Sequence, residues 1–425
     1  MNAAAVRLGL RENAAQFSLL VAVNAFVGAM VGLERSTLPL VGRDAFGLAS
    51  SAAVLSFIVA FGMAKALTNL AAGALAQRLG RRRLLIAGWA LALPVPLLIE
   101  VAPSWGWIVA ANALLGVNQG LAWSMTVVMK IDLVGPRRRG LALGLNESAG
   151  YGGVALAAGL GGWLATSFAA RDVLVVAGAG IAVVGLLLSV VFVRDTAAHV
   201  ALEQGADTSG APRLRSAFAQ ASYREPALRA CSQAGLVNNL NDGLAWGLVP
   251  LYLAAHGAGI GSIALVAALY PGVWSVAQIA TGHWSDRVGR KPLIVAGMLV
   301  QAVALALLAA AAGHVVPAAA AAVLLGLGTA LVYPTLIAAM SDAVTPVARP
   351  TVVGVYRFWR DSGYVFGGLI GGLIADALGY GGAIGLVAGL TAASGLWVWR
   401  DMPTQEAVTA SRSGTPPSTT WMTSS

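Results

Sequence analysis

Long apolar segments alternate with short polar ones along nearly the whole chain. Each apolar segment is close to the ~20 residues that an α-helix needs to cross a lipid bilayer. The pattern therefore predicts an all-α integral membrane protein with twelve transmembrane helices. The predicted spans are 17–41, 50–76, 84–103, 107–130, 140–168, 171–193, 228–254, 261–284, 292–313, 316–341, 350–377 and 380–400.

The amino-acid composition supports this class. Hydrophobic residues make up 58% of the chain and charged residues 11%, whereas soluble proteins carry about 25% charged residues. A soluble enzyme and an intrinsically disordered protein are therefore excluded. A single cysteine, Cys231, excludes an intramolecular disulfide framework, and the sequence contains no HExxH-type motif. We expect neither a bound metal nor a cofactor.

The distribution of basic residues predicts the orientation. Nearly all Lys and Arg outside the spans lie on one predicted side, and only Arg43 and Arg171 lie on the other. The positive-inside rule then places both termini in the cytoplasm of a multi-pass cell-membrane protein. It also accounts for the net charge of +9 without nucleic acid as a partner, because the basic residues lie between apolar runs. No cleavable signal peptide is expected before Phe17.

The longest polar stretch separates two halves. The predicted organisation is a six-helix half over 1–193, a cytoplasmic linker over 194–227, a second six-helix half over 228–400, and a disordered cytoplasmic tail over 401–425. The linker and the tail are assigned from their Gly-, Ser- and Pro-rich composition. We expect a monomer, with the bilayer, protons and a small-molecule substrate as its partners.

The two halves repeat each other at a nearly constant offset. The loop 73–82 aligns with 282–291. Further aligned pairs are Asp132, Pro136, Arg139, Gly144 and Gly153 with Asp342, Pro346, Arg349, Gly354 and Gly363. Two parallel six-span repeats are typical of rocker-type transporters, which bind substrate between the halves near the membrane midplane.

The two aligned loops carry a family resemblance. The sequence GHWSDRVGRK at 282–291 closely resembles the signature loop of the major facilitator superfamily, and the copy GALAQRLGRR at 73–82 has Gln77 where the family usually has Asp. The resemblance implies alternating access, a cavity lined by helices 1, 4, 7 and 10, and helices 2 and 11 as neighbours across the halves.

The same resemblance implies that these loops close an inner gate. The gate residues would be Gly73, Arg78, Gly80, Arg81, Gly282, Asp286, Arg287, Gly289 and Arg290. Because Gln77 carries no charge, the gate of the first half should be the weaker one. A simpler alternative is that the basic residues only determine topology.

Eight charged residues lie inside the predicted spans, where each costs at least ~2.5 kcal/mol without a partner or water. They are Glu34, Arg35, Lys65, Glu147, Asp242, Arg357, Arg360 and Asp361. Lys65 and Asp361 lie at a similar depth in their spans. Since the resemblance implies that helices 2 and 11 are neighbours, we expect an ion pair between these two residues across the halves. We expect Arg360 not to face its neighbour Asp361 and to be a free cation.

Three of these acids are candidates for proton coupling, because a buried carboxylate can take up and release a proton near neutrality. Asp242 is preferred, since its own helix offers no nearby cation; Glu34 and Glu147 follow. The alternative is that each acid is the permanent half of a salt bridge. Arg35 would then pair with Glu34, and Arg357, at the repeat-equivalent position, with Glu147.

Polar and aromatic residues near mid-span are candidates for the substrate cavity. The run NNLNDG at 238–243 indicates a wet cavity lining and a break in its helix. The full set of candidates is Arg35, Asn118, Gln119, Trp123, Asn238, Asn239, Asn241, Trp246, Tyr333, Arg357 and Arg360.

The sequence thus favours a secondary active transporter that moves a small solute, with proton-coupled efflux as the first hypothesis. Proton-coupled uptake of a polar or anionic molecule is an alternative, as is a non-transporting membrane receptor. An enzyme is not expected, because no nucleophile–base motif or phosphate-binding loop is found. Gly116 stands where drug–proton antiporters usually carry Arg, and span 5 lacks their usual Pro, which weakens that subgroup assignment.

Overall fold

The computed structural model describes residues 6–135, 139–204, 214–344 and 349–403. The predicted tail beyond 403 lies outside this part of the chain. The surroundings of three predicted gate residues, Gly73, Arg78 and Asp286, are likewise not described. The described helices are α1 Ala14–Asp44, α2 Ser51–Leu79, α3 Arg81–Ala92, α4 Pro94–Glu100, α5 Trp105–Val134, α6 Arg139–Leu164, α7 Ala170–Val191, α8 Ala197–Gln204, α9 Leu214–Ala219, α10 Pro226–Ala255, α11 Ile260–Val288, α12 Arg290–Ala310, α13 Val315–Asp342 and α14 Arg349–Asp401.

Every predicted span coincides with helix. The third span is divided at Pro94, which lacks the backbone N–H that a continuous helix needs. The last two spans join into α14, whose only non-helical residue is Gly379 at φ 75° and ψ 169°. That residue lies between the two predicted segments, so it marks the bend at which the chain turns back.

Eight segments of the described chain are long and apolar enough to cross a membrane: seven single helices, α14 among them, and α3 together with α4. Helices α5, α6 and α10 are also long, at 30, 26 and 30 residues. Buried amides and charged groups lie within these three helices. The structure is therefore that of an all-helical membrane protein.

We call α1–α7 the first half and α10–α14 the second half. Within the first half α1 packs against α6 and α7, and α2 packs against α5. Within the second half α10 packs against α14, and α12 against α13. Across the halves α2 packs against α14 and α6 against α11. The first of these confirms the expected contact between helices 2 and 11, since the α14 residues nearest α2 are those around Tyr364 and Gly372.

The repeated loops have the same structure in both halves. Gly80 and Gly289 separate consecutive helices at φ 85° and 95°, a backbone conformation that side chains with a Cβ rarely adopt. The arginine after each glycine begins the next helix and pairs with an aspartate. Arg81 Nε lies 2.7 Å from Asp132 Oδ2, and Arg290 Nε lies 3.0 Å from Asp342 Oδ2. The internal repeat predicted from the sequence therefore includes an equivalent arginine–aspartate ion pair in each half.

The linker is helical in its described parts and is bonded to both halves. Thr196 Oγ1 donates to Asp132 Oδ2 at 2.6 Å in the first half. After α9 a π-helical turn, Gln220–Arg224, brings Ser222 to accept a 2.8 Å hydrogen bond from Trp359 Nε1 in the second half. Residues 205–213 of the predicted linker lie outside the described chain.

At the end of the bundle that holds the α1–α2 turn, polar contacts join the halves. The Asp376 carboxylate accepts hydrogen bonds from Ser50 Oγ at 2.7 Å, from the Ser51 N–H at 2.7 Å and from the Ala52 N–H at 3.1 Å. It thereby caps the N-terminus of α2 from the other half. Beside it, Arg43 donates to the Tyr380 hydroxyl.

Candidate functional site: a charged and aromatic centre between the halves

A bidentate ion pair links the two halves in the middle of the bundle. Arg35 of α1 donates from both terminal nitrogens to Asp242 of α10, at 2.7 Å and 2.9 Å. The Tyr364 hydroxyl donates to the same carboxylate at 2.5 Å. The two charged side chains are only 2% and 0% exposed. Asp242 has no nearby cation in its own helix, as expected, but α1 supplies one in Arg35, which was not expected from the sequence.

The carboxylate of Asp361 is likewise fully engaged. It accepts from Arg360 Nε at 2.7 Å and Arg360 Nη2 at 3.0 Å, from Asn239 at 3.2 Å, and from Asn69 of the first half. The expectation that Arg360 does not face Asp361 was wrong, because the long arginine side chain bends back and donates two hydrogen bonds to the carboxylate of its neighbour. Asn69 was absent from the predicted site.

Lys65 does not form the predicted ion pair with Asp361, whose two oxygens are already taken. Its Nζ lies instead 5.4, 5.3 and 5.1 Å from the ring centres of Phe61, Trp123 and Tyr364. Among the described side chains, Lys65 pairs with no carboxylate, although it is only 4% exposed. The predicted inter-domain pair is therefore corrected to a lysine held by aromatic faces.

Glu34 and Glu147 form no ion pair with any described cation. Glu147 Oε1 accepts from Trp123 Nε1 at 3.1 Å and from Asn146 at 3.0 Å, whereas its Oε2 is buried without a hydrogen bond. Glu34 also buries Oε2 without a partner. The salt bridges considered for them are not formed here, since Arg35 binds Asp242 and Arg357 pairs with no described carboxylate.

Aromatic side chains from both halves meet beside these charges. Tyr151 of α6 stacks on Trp274 of α11, with ring centres 3.5 Å apart, and its hydroxyl lies 3.3 Å from that of Tyr333. Trp123 lies 5.2 Å from Tyr151, and the Arg360 guanidinium lies 5.1 Å from the Tyr333 ring. Tyr151 was missed because its glycine-rich segment reads as packing surface.

Another aromatic contact joins the halves through Trp246 of α10. Its ring lies 5.5 Å and 5.0 Å from Phe57 and Phe61 of α2, and 5.4 Å below the Arg35 guanidinium. A cavity of only about 20 Å³, room for roughly one water, lies against Arg35, Trp246 and Tyr270. The centre is thus closely packed in this structure.

Several amides proposed for the cavity bind helices of their own half instead. Asn118 donates to the Gly88 carbonyl at 2.9 Å, and Gln119 donates to the Val27 carbonyl at 2.8 Å. Asn241 donates to Gln301 Oε1 of α12 at 2.9 Å, and Gln301 Nε2 donates to Asn238 Oδ1 at 2.9 Å. These contacts leave Gln119 Oε1 and Asn238 Nδ2 buried without a partner among the described residues. Helix α10 runs unbroken from Pro226 to Ala255, so the predicted helix break was wrong.

One buried cation was overlooked entirely. Lys130 is the last residue of the predicted span 107–130, but α5 continues to Val134 and Lys130 is fully buried. Its Nζ donates to the Leu20 carbonyl at 3.0 Å.

Comparison with known proteins agrees with this two-half arrangement. The sequence profile of the Major Facilitator Superfamily matches the chain twice, over residues 14–233 and 231–423. The chain belongs to this superfamily. It is also similar to an uncharacterized MFS-type transporter of Salmonella typhimurium, with 26% identity over 351 residues that cover 75% of this chain and 79% of the relative.

Superfamily membership makes the chain a multi-pass cell-membrane protein and a secondary transporter of a small solute. In this major facilitator protein, both halves contribute to the charged and aromatic centre. Arg35, Lys65, Glu147 and Trp123 come from the first half, and Asp242, Arg357, Arg360 and Tyr333 come from the second.

Proposed function

We propose that this major facilitator protein exports a small solute by alternating access, coupled to the entry of protons. The observation that carries the proposal is the Arg35–Asp242 pair, which is buried and joins the two halves. A rocking motion of the halves changes the partners of such charges, and so does a proton or a charged solute. The centre is therefore placed to couple solute and proton binding to the motion.

The proposed topology has twelve crossings with both termini in the cytoplasm. The eight apolar segments support it, together with the lengths of α5, α6 and α10 and the bend at Gly379, which gives α14 two crossings. The basic residues at the Gly80 and Gly289 loops then face the cytoplasm. The turn between α1 and α2 and the Asp376 contacts face outside.

For the coupling acids, the structure favours Glu34 and Glu147 over the first choice, Asp242. A buried carboxylate that forms no ion pair is less costly to hold when it carries a proton, and neither Glu34 nor Glu147 forms an ion pair with a described cation. Asp242 already has a bidentate countercharge in Arg35, so it would take a proton only after the two separate. Glu147 also touches Trp123, which adjoins Lys65, so its protonation can be sensed in the centre.

The test uses purified protein in proteoliposomes that contain a pH-sensitive dye. A panel of anionic, neutral and cationic solutes is added, and proton movement is recorded for wild type, Glu34→Gln, Glu147→Gln and the exposed control Glu100→Gln. We expect at least one solute to trigger proton movement in wild type and in the control, and at least tenfold less in one of the two site variants. Solute exchange without proton movement in wild type would contradict the coupling.

The direction of transport is determined separately, in cells with and without the gene. Export predicts lower accumulation of the active solute when the gene is expressed and the pH gradient is intact. Higher accumulation under the same conditions would establish uptake instead.

A further inference from the structure

Two cations in the centre lack a carboxylate partner among the described side chains. The Lys65 ammonium, on α2, lies near three aromatic rings, and Arg357, on α14, has a buried Nε without a hydrogen bond. The two lie within electrostatic range of each other. They come from different halves, which places a positive region across the boundary between the halves.

The nearby aspartates are hydrogen-bonded to other groups, although Asp361 also lies within electrostatic range of both cations. Both oxygens of Asp361 are occupied by Arg360, Asn69 and Asn239, and both oxygens of Asp242 are occupied by Arg35 and Tyr364. Each aspartate therefore balances one arginine, and neither leaves charge over for Lys65 or Arg357.

Glu147 is the remaining acid near Arg357, but it forms no ion pair in this structure. One of its oxygens is held by Trp123 and Asn146, and the other has no hydrogen bond. A protonated Glu147, as in the proposed coupling, carries no charge at all. The two cations then have no countercharge supplied by the protein, which is costly at membrane depth.

The surface beside Lys65 is aromatic. The Trp123 ring lies 5.3 Å from Lys65 Nζ and 5.2 Å from Tyr151, and Tyr333 lies against Tyr151 and Trp274. Flat apolar faces next to a pair of cations suit a ligand with an anionic end and a planar apolar body.

We propose that the transported solute is a small aromatic carboxylate, whose carboxylate is bound by Lys65 of the first half and Arg357 of the second. This inference rests on the proposed transport function and names the solute for the same site. The ligand supplies the missing countercharge and draws the two halves together. Because it is an anion, the inside-negative membrane potential also favours its export.

Binding is tested on the purified full chain with named probes. Benzoate and 1-naphthoate are compared with the neutral amides benzamide and 1-naphthamide and with the cation benzylamine, by tryptophan fluorescence and thermal shift. We expect saturable binding of at least one carboxylate, at least tenfold tighter than its amide. Equal binding of acid and amide, or no binding of either acid, would overturn the inference.

Variants assign the carboxylate to its cations. Lys65→Gln and Arg357→Gln should each weaken carboxylate binding at least tenfold, whereas Lys65→Arg should retain most of it because the charge is kept. The matched control is Arg400→Gln, which removes an 86% exposed arginine. Wild-type affinity in both Gln variants would refute the site, and monodisperse elution of each variant shows that it has folded.

The proton assay separates this inference from the proposed function. Proton movement triggered only by neutral or cationic solutes would support the proposed function and refute the inference that the solute is an anion. Carboxylate binding that depends on Lys65 and Arg357 without proton movement supports the anion site and refutes proton coupling.

Discussion

The two ends of the bundle are held together in different ways. At the end proposed to face outside, Asp376 of the second half binds Ser50, Ser51 and Ala52 of the first, and Arg43 binds Tyr380 across the same boundary. At the inner end, the Arg81–Asp132 and Arg290–Asp342 pairs each lie within one half.

This difference shows which motion is costly. Separating the halves at the outer end breaks three largely exposed hydrogen bonds to the Asp376 carboxylate, together worth about 1.5–3 kcal/mol. Separating them at the inner end leaves both arginine–aspartate pairs intact. The Asp376 and Arg43 contacts therefore hold the halves together at one end of the bundle, whereas the Arg81–Asp132 and Arg290–Asp342 pairs stabilise each half separately.

The largest expected effect comes from the charge pair between the two ends. Asp242→Asn leaves the Arg35 guanidinium buried without a countercharge, and breaking a buried pair in this way costs about 3–5 kcal/mol. We expect a strongly lowered melting temperature in detergent and loss of transport driven by a pH gradient. Arg35→Gln combined with Asp242→Asn should recover part of the stability. A wild-type melting temperature for Asp242→Asn alone would show that the pair does not hold the halves together.

Asp376→Ala tests the outer contacts directly. Losing its hydrogen bonds should shift the population toward outward-open forms by about 10- to 100-fold, from about 1.5–3 kcal/mol. The reporter is Val249→Cys, beside the small cavity, in a Cys231→Ser background, labelled from outside with an impermeant maleimide. Tyr380→Phe removes one neutral partner and should raise labelling less. Unchanged labelling in Asp376→Ala would mean that these contacts do not restrain the outer end.

The inner ion pairs differ in burial, which predicts unequal effects. Asp132 is 10% exposed and also accepts the Thr196 hydrogen bond, whereas Asp342 is 58% exposed. Asp132→Asn should therefore lower stability by about 1–3 kcal/mol and Asp342→Asn by about 0–1 kcal/mol. Thermal melting of the two variants measures this. A larger loss for Asp342→Asn would reverse the ranking.

The smallest effect is expected from Gln77→Asp, which restores the residue usual in the family's signature loop. A carboxylate beside the basic loop should favour closure of the inner end by about 0–1 kcal/mol. Gly144→Cys is a suitable reporter, because a Cβ added there meets open space. Its labelling from the cytoplasmic side should fall by up to about fivefold. Unchanged labelling would indicate that the first loop only determines topology.

The helices and the repeat could be predicted because their signals are local. Apolar length located each span, and the aligned Asp132 and Asp342 marked positions that proved to hold equivalent ion pairs. The observed helix ends differ from the predicted span ends by a few residues. For α5 this difference placed Lys130 at the edge of the predicted span, although it lies within the helix.

The pairing of buried charges could not be predicted, because it depends on side-chain geometry between distant segments. Similar depth suggested Lys65 for Asp361, but an arginine offers two parallel hydrogen bonds where a lysine offers a single point charge, and Arg360 was already adjacent. The amides of α10 suggested a broken helix, because Gln301 and Thr391, which bind Asn238 and Asn241, lie far away in sequence.

The Arg35–Asp242 bond also imposes an order on biosynthesis. The two residues are 207 positions apart, and a ribosome adds about 5–20 residues per second. The first helix therefore waits on the order of 10 to 40 s in the translocation machinery or the lipid before its countercharge is synthesised. During that time Arg35 needs water, headgroups or an insertion chaperone. The first half, expressed alone, should consequently be cleared by membrane proteases and be rescued when the second half is supplied as a separate chain.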